Sequence, residues 1–223
     1  MDANVSDTTA GNGFILTRRA SPRDAGRRCG KRRSQVDPDD DVIRLVGDGD
    51  VRGALVRLMQ RHGAALNRYC RDMLRDPALA DDVHQQVFIA AFLDLPTFRR
   101  RSTVRTWLFG IARHRALDAV KSRGRARSHL EAADPRDAPD PRPLAGDSID
   151  DARLVKALVA CLGELDEPSR EALLLRYQQG FSFEQMAEIC GERSGTLQAR
   201  VARALPQLRA RIEAYLERPR PFG

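Results

Sequence analysis

Between Arg99 and Arg127 the chain carries ten basic residues and a single acid, Asp118. A cation density of that kind suits the neutralisation of phosphates, and arginine adds a planar fork that grips phosphate and guanine. The plainer reading is a solvated face. A second set lies further along. Ser182 to Gln185 has the form of a capping box, Ala187 is a small residue, Gly191 follows four positions on and Leu197 six later. This is the spacing of a helix-turn-helix, although an ordinary helical hairpin also produces it. Its second helix, opening near Ser194 and Gly195, is expected to present Thr196, Gln198, Ala199, Arg200 and Arg203 to a major groove, with Leu197, Val201 and Leu205 turned inward. A third set, Asp81, Asp82 and His84, has the side-chain types of a metal-dependent nucleic-acid hydrolase. Adjacent helical residues diverge by about 100°, however, a poor geometry for two carboxylates on one metal. Cys29, Cys70, Cys161 and Cys190 are scattered, with no C-x-x-C pair and no His at ligand spacing. Neither a disulfide framework nor a zinc site is expected, and no cofactor.

The elements that must position these sets are helices. Of 223 residues 42% are hydrophobic but only 5% aromatic, which suits modest helical cores and argues against a large single-pocket enzyme. The net charge of +7 is unevenly placed: residues 51–128 hold sixteen basic and six acidic residues, whereas 129–152 hold two and seven. The expected fold is all-α, with two small helical domains joined by a flexible acidic, Pro-rich linker. Residues 1–50 lack a sustained apolar period and read as a mostly disordered extension. Residues 51–128 read as the first domain: Leu55, Leu58, His62, Leu66, Tyr69 and Met73 recur at helical steps, and Val83, Val87 and Ala91 make the next helix. Thr103 is expected to cap a third, with Trp107, Ile111 and Val120 on its apolar side and Arg105, Arg113, Arg115, Lys121 and Arg123 reaching outward. Pro135, Pro139, Pro141 and Pro143 mark 129–152 as the linker. Residues 153–217 read as the second domain and 218–223 as a tail. The longest apolar run, Val87 to Leu93, has seven residues, far short of the roughly 20 that a membrane helix needs. A soluble, cytoplasmic protein without membrane insertion is expected.

With those residues in view, the chain resembles the extracytoplasmic-function (ECF) sigma factors of bacterial RNA polymerase. Ala80-Asp81-Asp82-Val83-His84-Gln85-Gln86-Val87-Phe88 is similar to the family's A-E-D-L-V-Q-E-V-F helix. Trp107-Leu108-Phe109-Gly110-Ile111-Ala112-Arg113-His114 is similar to its W-L-x-x-I-A-R-N segment. Gly195-Thr196-Leu197-Gln198-Ala199-Arg200, with Arg203-Ala204, follows G-T-V-K-S-R with R-A. The three stand in the family's order and separation, over about Leu55 to Arg127 and Leu154 to Leu216. The chain departs from the pattern at Gln86, Ala90, His114, Gln198, Ala199 and Pro206.

The resemblance implies a transcription initiation factor with no chemistry of its own. Its partners would be core RNA polymerase, through the β′ clamp helices and the β subunit, promoter DNA and an anti-sigma protein. It assigns Asp82, Gln85 and Gln86 to core binding. It assigns the loop and third helix to the single-stranded −10 element, with Arg99, Arg100, Arg101, Arg113, His114 and Arg115. The helix-turn-helix residues Thr196, Gln198, Ala199, Arg200 and Arg203 fall to the −35 element as duplex. Trp107 reads as a core residue rather than a stacking platform, and Pro206 is expected to end or bend the recognition helix. Two rivals follow from the residues: a regulator that binds duplex DNA without polymerase, for which no dimerising coiled coil is apparent, and the hydrolase considered above.

Overall fold

Helix-favouring sequence punctuated by Asp, Pro and Gly sets the architecture. The computed structural model describes residues 37–129 and 149–217, and every regular element among them is helical. In chain order these are α1 (Asp40–Gly47), α2 (Val51–Leu74), α3 (Pro77–Asp94), a 3-10 turn (Leu95–Thr97), α4 (Val104–His129), α5 (Ile149–Gly163), α6 (Glu167–Leu173) running into a π-helical turn (Leu174–Gln178), α7 (Phe183–Cys190) and α8 (Ser194–Glu217). Short polar side chains start five of them, α2, α3, α4, α6 and α7, by taking orphan backbone amides. The Asp50 carboxylate accepts from Gly53 N–H at 2.8 Å, Asp76 from Leu79 N–H and Asp166 from Ser169 N–H, each at 3.1 Å. Thr103 Oγ1 accepts from Thr106 N–H at 3.1 Å, as expected for the start of α4. The Ser182–Gln185 capping box forms in both directions, at 3.2 and 2.9 Å. Gly191, at φ +67°, ends α7 in the left-handed conformation that makes the tight turn into α8.

Two groups of helices result. α1 to α4 gather around Leu58, Leu66, Tyr69, Val87, Leu108 and Phe109, and α5 to α8 around Cys161, Leu175, Met186, Leu197 and Val201. The described residues nevertheless form one compact unit, because α4 packs on α7 and α2 on α6 and the π-helical turn. The carbonyl of Gly163 at the end of α5 receives the Arg75 guanidinium at 2.8 Å. A side chain at Gly163 would run into that guanidinium, its Cβ falling 2.2 Å from the Arg75 Cζ.

Several expectations are corrected. The extension over 1–50 does contain structure: Val42, Leu45 and Val46 give α1 an apolar stripe, and Asp39 just before it is buried against α2. His62 Nε2 lies 2.9 Å from the Asp39 carboxylate and Arg61 donates to it at 2.5 Å. The linker ends sooner than expected, since α5 begins at Ile149. Residues 1–36, with Cys29 and the Arg18 to Arg33 run, the rest of the linker and 218–223 lie outside the described residues. On α4 the buried face is Leu108, Phe109, Ala112 and Ala116 rather than Trp107, Ile111 and Val120, which sit half-buried at its margin. On α8, Leu205 is 43% exposed and the inward row is Leu197, Val201, Ala204 and Leu208, the four positions that keep a 3.6-residue period. Pro206 does not end α8, which runs another eleven residues to Glu217.

Candidate nucleic-acid interface

The helix-turn-helix presents its expected face. Thr196, Gln198, Ala199 and Arg203 are exposed on the first turns of α8, with Leu197 and Val201 beneath them anchored in the core. Arg203 folds its Nε back to the Ala199 carbonyl at 3.3 Å, which leaves the rest of its fork directed at solvent. Arg200 is different. Its two terminal nitrogens meet the two carboxylate oxygens of Glu192 at 3.0 and 2.6 Å, a bidentate pair across the turn between α7 and α8. That hydrogen-bonded pair holds the Glu192 carboxyl below its usual range and raises Arg200. A phosphate or base would have to compete with Glu192 for this guanidinium.

The arginines of the loop and α4 divide into two sets. Arg99, Arg100, Arg101, His114 and Arg115 are exposed. Arg100, in the left-handed region at φ +53°, donates to Asp40 of α1 at 2.8 Å. Arg113 and Arg105, expected to reach outward, face the second group of helices instead. Arg113 Nε lies 2.8 Å from Glu171 Oε1, the two side chains only 17% and 3% exposed. Arg105 donates to the Gln179 carbonyl, with its guanidinium carbon 4.2 Å from the Phe181 ring centroid. Burial pushes the Glu171 carboxyl up, while Arg113 and the Tyr69 hydroxyl pull against it, and burial pulls Arg105 down. The reason is tertiary: Phe109 and Phe181 meet edge-on at 5.0 Å, and the two arginines flank that apolar contact.

On the outer face of α3, Asp82, Gln85 and Gln86 are all exposed. Gln85 also borders a groove of about 510 Å³ between α2 and α3, floored by Leu55, Met59, Phe88, Ile89 and Phe92. Leu93, at its end, is 68% exposed. Sequence reasoning missed this apolar strip, although a signal was present. Seven consecutive apolar residues wrap the whole circumference of a helix, so Val87 to Leu93 had to leave some of them outside the core. Asp81, Asp82 and His84 are not brought together: Asp81 is taken by Arg71 at 3.0 Å and Asn67 at 3.2 Å, and His84 Nε2 by the Gly63 carbonyl at 3.1 Å. Among the described residues no group of three potential ligands could hold a metal, and no helix is long and apolar enough to cross a membrane. Cys70 and Cys190 are buried thiols pushed up to about 12 by that burial, which makes them inert.

Comparison with known proteins adds the following. Residues 58–126 match the family profile Sigma-70 region 2, and residues 156–208 match Sigma-70, region 4. Among curated proteins, the chain is similar to the ECF RNA polymerase sigma factor SigC of Mycobacterium tuberculosis, 37% identical over 147 residues, 63% of this chain and 74% of the relative. It is also similar to the RNA polymerase sigma factor NccH of Alcaligenes xylosoxydans xylosoxydans, 32% identical over 79% of this chain and 95% of the relative. Among solved structures, CnrH in complex with the cytosolic domain of CnrY superposes with a TM-score of 0.60 at 26% identity, covering 80% of this chain and 99% of that one. The sigma factor RpoE of Bartonella quintana, in complex with the anti-sigma factor NepR, gives 0.64 at 24% identity, covering 73% and 97%.

Proposed function

Because the chain belongs to the ECF sigma factors of RNA polymerase, we propose that its exposed polar faces divide the group's work among themselves. A sigma factor is a transcription initiation factor that binds core RNA polymerase and directs it to promoters. In this reading α3 docks on core polymerase through Asp82, Gln85 and Gln86, with the adjoining groove supplying apolar area. Arg99, Arg100, Arg101, His114 and Arg115 hold the backbone of the single-stranded −10 element, and Arg113 joins them only when α4 is uncovered. Thr196, Gln198, Ala199 and Arg203 read the −35 element in the major groove. Arg200 contributes through its pair with Glu192. The protein has no catalysis of its own and acts in the cytoplasm, and an anti-sigma protein is among its partners.

The observation that carries this reading is the co-occurrence, in order, of an exposed polar helix, a basic loop and a capped helix-turn-helix. Two small modules each bury too little surface for tight binding alone, and fixing both on one polymerase makes the second contact effectively intramolecular. Pull-down of the chain with core polymerase, followed by transcription from a promoter library, tests it. Retention on core and selective initiation are expected. Tight binding to a palindromic duplex without polymerase would favour the independent regulator instead.

A further inference from the structure

We propose that Asp40 is a positioning residue for the basic loop: its ion pair with Arg100 holds that residue in the left-handed conformation and so sets the directions of Arg99 and Arg101. The proposal rests on the assignment of the loop to the −10 element and adds how α1 shapes it. The loop is anchored at its two ends. Before it, Phe98 sets its ring centroid 5.1 Å from that of Trp107. After it, Thr103 caps α4. Between these anchors, Arg99 to Ser102 make one hydrogen bond among the described residues, from Arg100 to Asp40 at 2.8 Å. Arg100 is also the residue of the loop that stands at positive φ, +53°. A residue with a Cβ resists that conformation and keeps it only where its surroundings impose it. Here the imposing contact is Asp40.

Asp40 can act in this way because its own position is fixed. It stands between two acids that α2 holds: Asp39, buried on His62 and Arg61, and Asp41, gripped by both terminal nitrogens of Arg61 at 3.0 Å each. The Asp40 N–H donates to the Asp37 carbonyl at 2.9 Å, closing the turn that starts α1. Three successive acids thus have separate duties. The outer two bind the turn to α2, and the middle one reaches across to the loop, 60 positions away. The Arg100 side chain stays 57% exposed, so its guanidinium can meet a phosphate while it is tied. A pair this exposed is weak, and a single left-handed residue is only mildly strained. The two effects are of similar size, so breaking the pair frees the loop without unfolding the helices around it.

The test uses the full chain assembled with core polymerase, and a single-stranded oligonucleotide taken from a promoter that the library selects. Asp40→Asn should weaken binding by about two- to fivefold, the worth of an exposed ion pair. The sign is decisive, because removing an acid beside a phosphate-binding loop would by charge alone strengthen binding. A gain or no change overturns the proposal. Asp40→Glu, which keeps the carboxylate, should bind nearly as the parent does. Arg100→Gly tolerates positive φ unaided, so adding Asp40→Asn to it should cost nothing further. A second loss in that background would mean that Asp40 acts on the stability of α1 rather than on the loop, and overturns the proposal. Arg99→Ala and Arg101→Ala report on the DNA assignment in the same titration. If both bind as the parent does, that assignment has failed, and tryptic cleavage of the free chain at Arg99 and Arg101 decides the positioning. Faster cleavage in Asp40→Asn supports it, and an unchanged rate overturns it.

Discussion

The helices that carry the arginines assigned to DNA, α4 and α8, present them in opposite ways. On α8 the polar face stands clear: Thr196, Gln198, Ala199 and Arg203 are exposed over an inward row of Leu197, Val201 and Ala204. On α4 Arg105 and Arg113 are spent on the second group of helices and Arg123 on Asp76 at 2.9 Å, while His114, Arg115 and Lys121 are exposed. Both helices are basic, so charge density alone does not separate them. The neighbour decides. α4 lies against an acidic, aromatic surface from α6 and the segment before α7, while no described element covers the outer face of α8. A cation is available to DNA only in so far as the fold has not already given it an anion.

The largest effect expected from breaking this contrast is at Glu171. Its removal leaves the Arg113 charge buried and unpaired, a loss of about 3–5 kcal/mol, which denaturant unfolding of Glu171→Ala should show. Replacing both partners with apolar residues, Glu171→Leu with Arg113→Met, should recover most of it. A double variant as unstable as the single one would place the energy elsewhere. Next comes α8. Arg203→Ala should weaken transcription by about 1–3 kcal/mol at promoters with a good −35 element, and should change the ranking of −35 sequences, if it reads a base. Arg200→Ala and Glu192→Ala should instead lower all promoters alike and show strong coupling in a double-mutant cycle, because each breaks the same pair. Independent effects of the two would return Arg200 to direct contact with DNA.

A smaller effect is expected on α3. Asp82→Ala with Gln85→Ala should weaken core polymerase binding by about 1–2 kcal/mol at unchanged helicity, measured by competition for core. Equal affinity would move the contact to the apolar groove beside them. The smallest concerns α1. The Arg61 hydrogen bond holds the Asp41 carboxyl down at about 2, against an ordinary 3.8. A carboxyl depressed by folding contributes stability that is present above its unfolded value and is lost as the pH falls through the folded one. Amide protection of α1 should therefore drop as the pH falls from about 4 to about 2, and Arg61→Ala should flatten that dependence.

Local chemistry made much of this legible in the residues. Asp76-Pro77 and Ser182 to Gln185 each satisfy backbone amides within one turn, and Gly191 supplies a conformation other residues resist. Such signals involve neighbours in sequence, so most of the helices, the helix-turn-helix and the exposed face of α8 could be placed before any packing was known. α1 was missed because eight residues form no stable helix alone. It is held by Asp39 reaching His62, 23 positions away. Leu205 was misplaced because its apolar type outweighed a period that Ala204 continues.

The sequence by itself determined the all-α class, the capped helix-turn-helix and the family, since these rest on local spacing and residue type. Which arginines stand exposed and which face protein was decided only by the tertiary structure. Arg113 and Glu171 are 58 positions apart, and Arg105 and Gln179 are 74. Helical periodicity says on which side of α4 an arginine stands but not what the fold will set against that side. That choice follows from Phe109 meeting Phe181, a contact between chain segments whose burial no local pattern encodes.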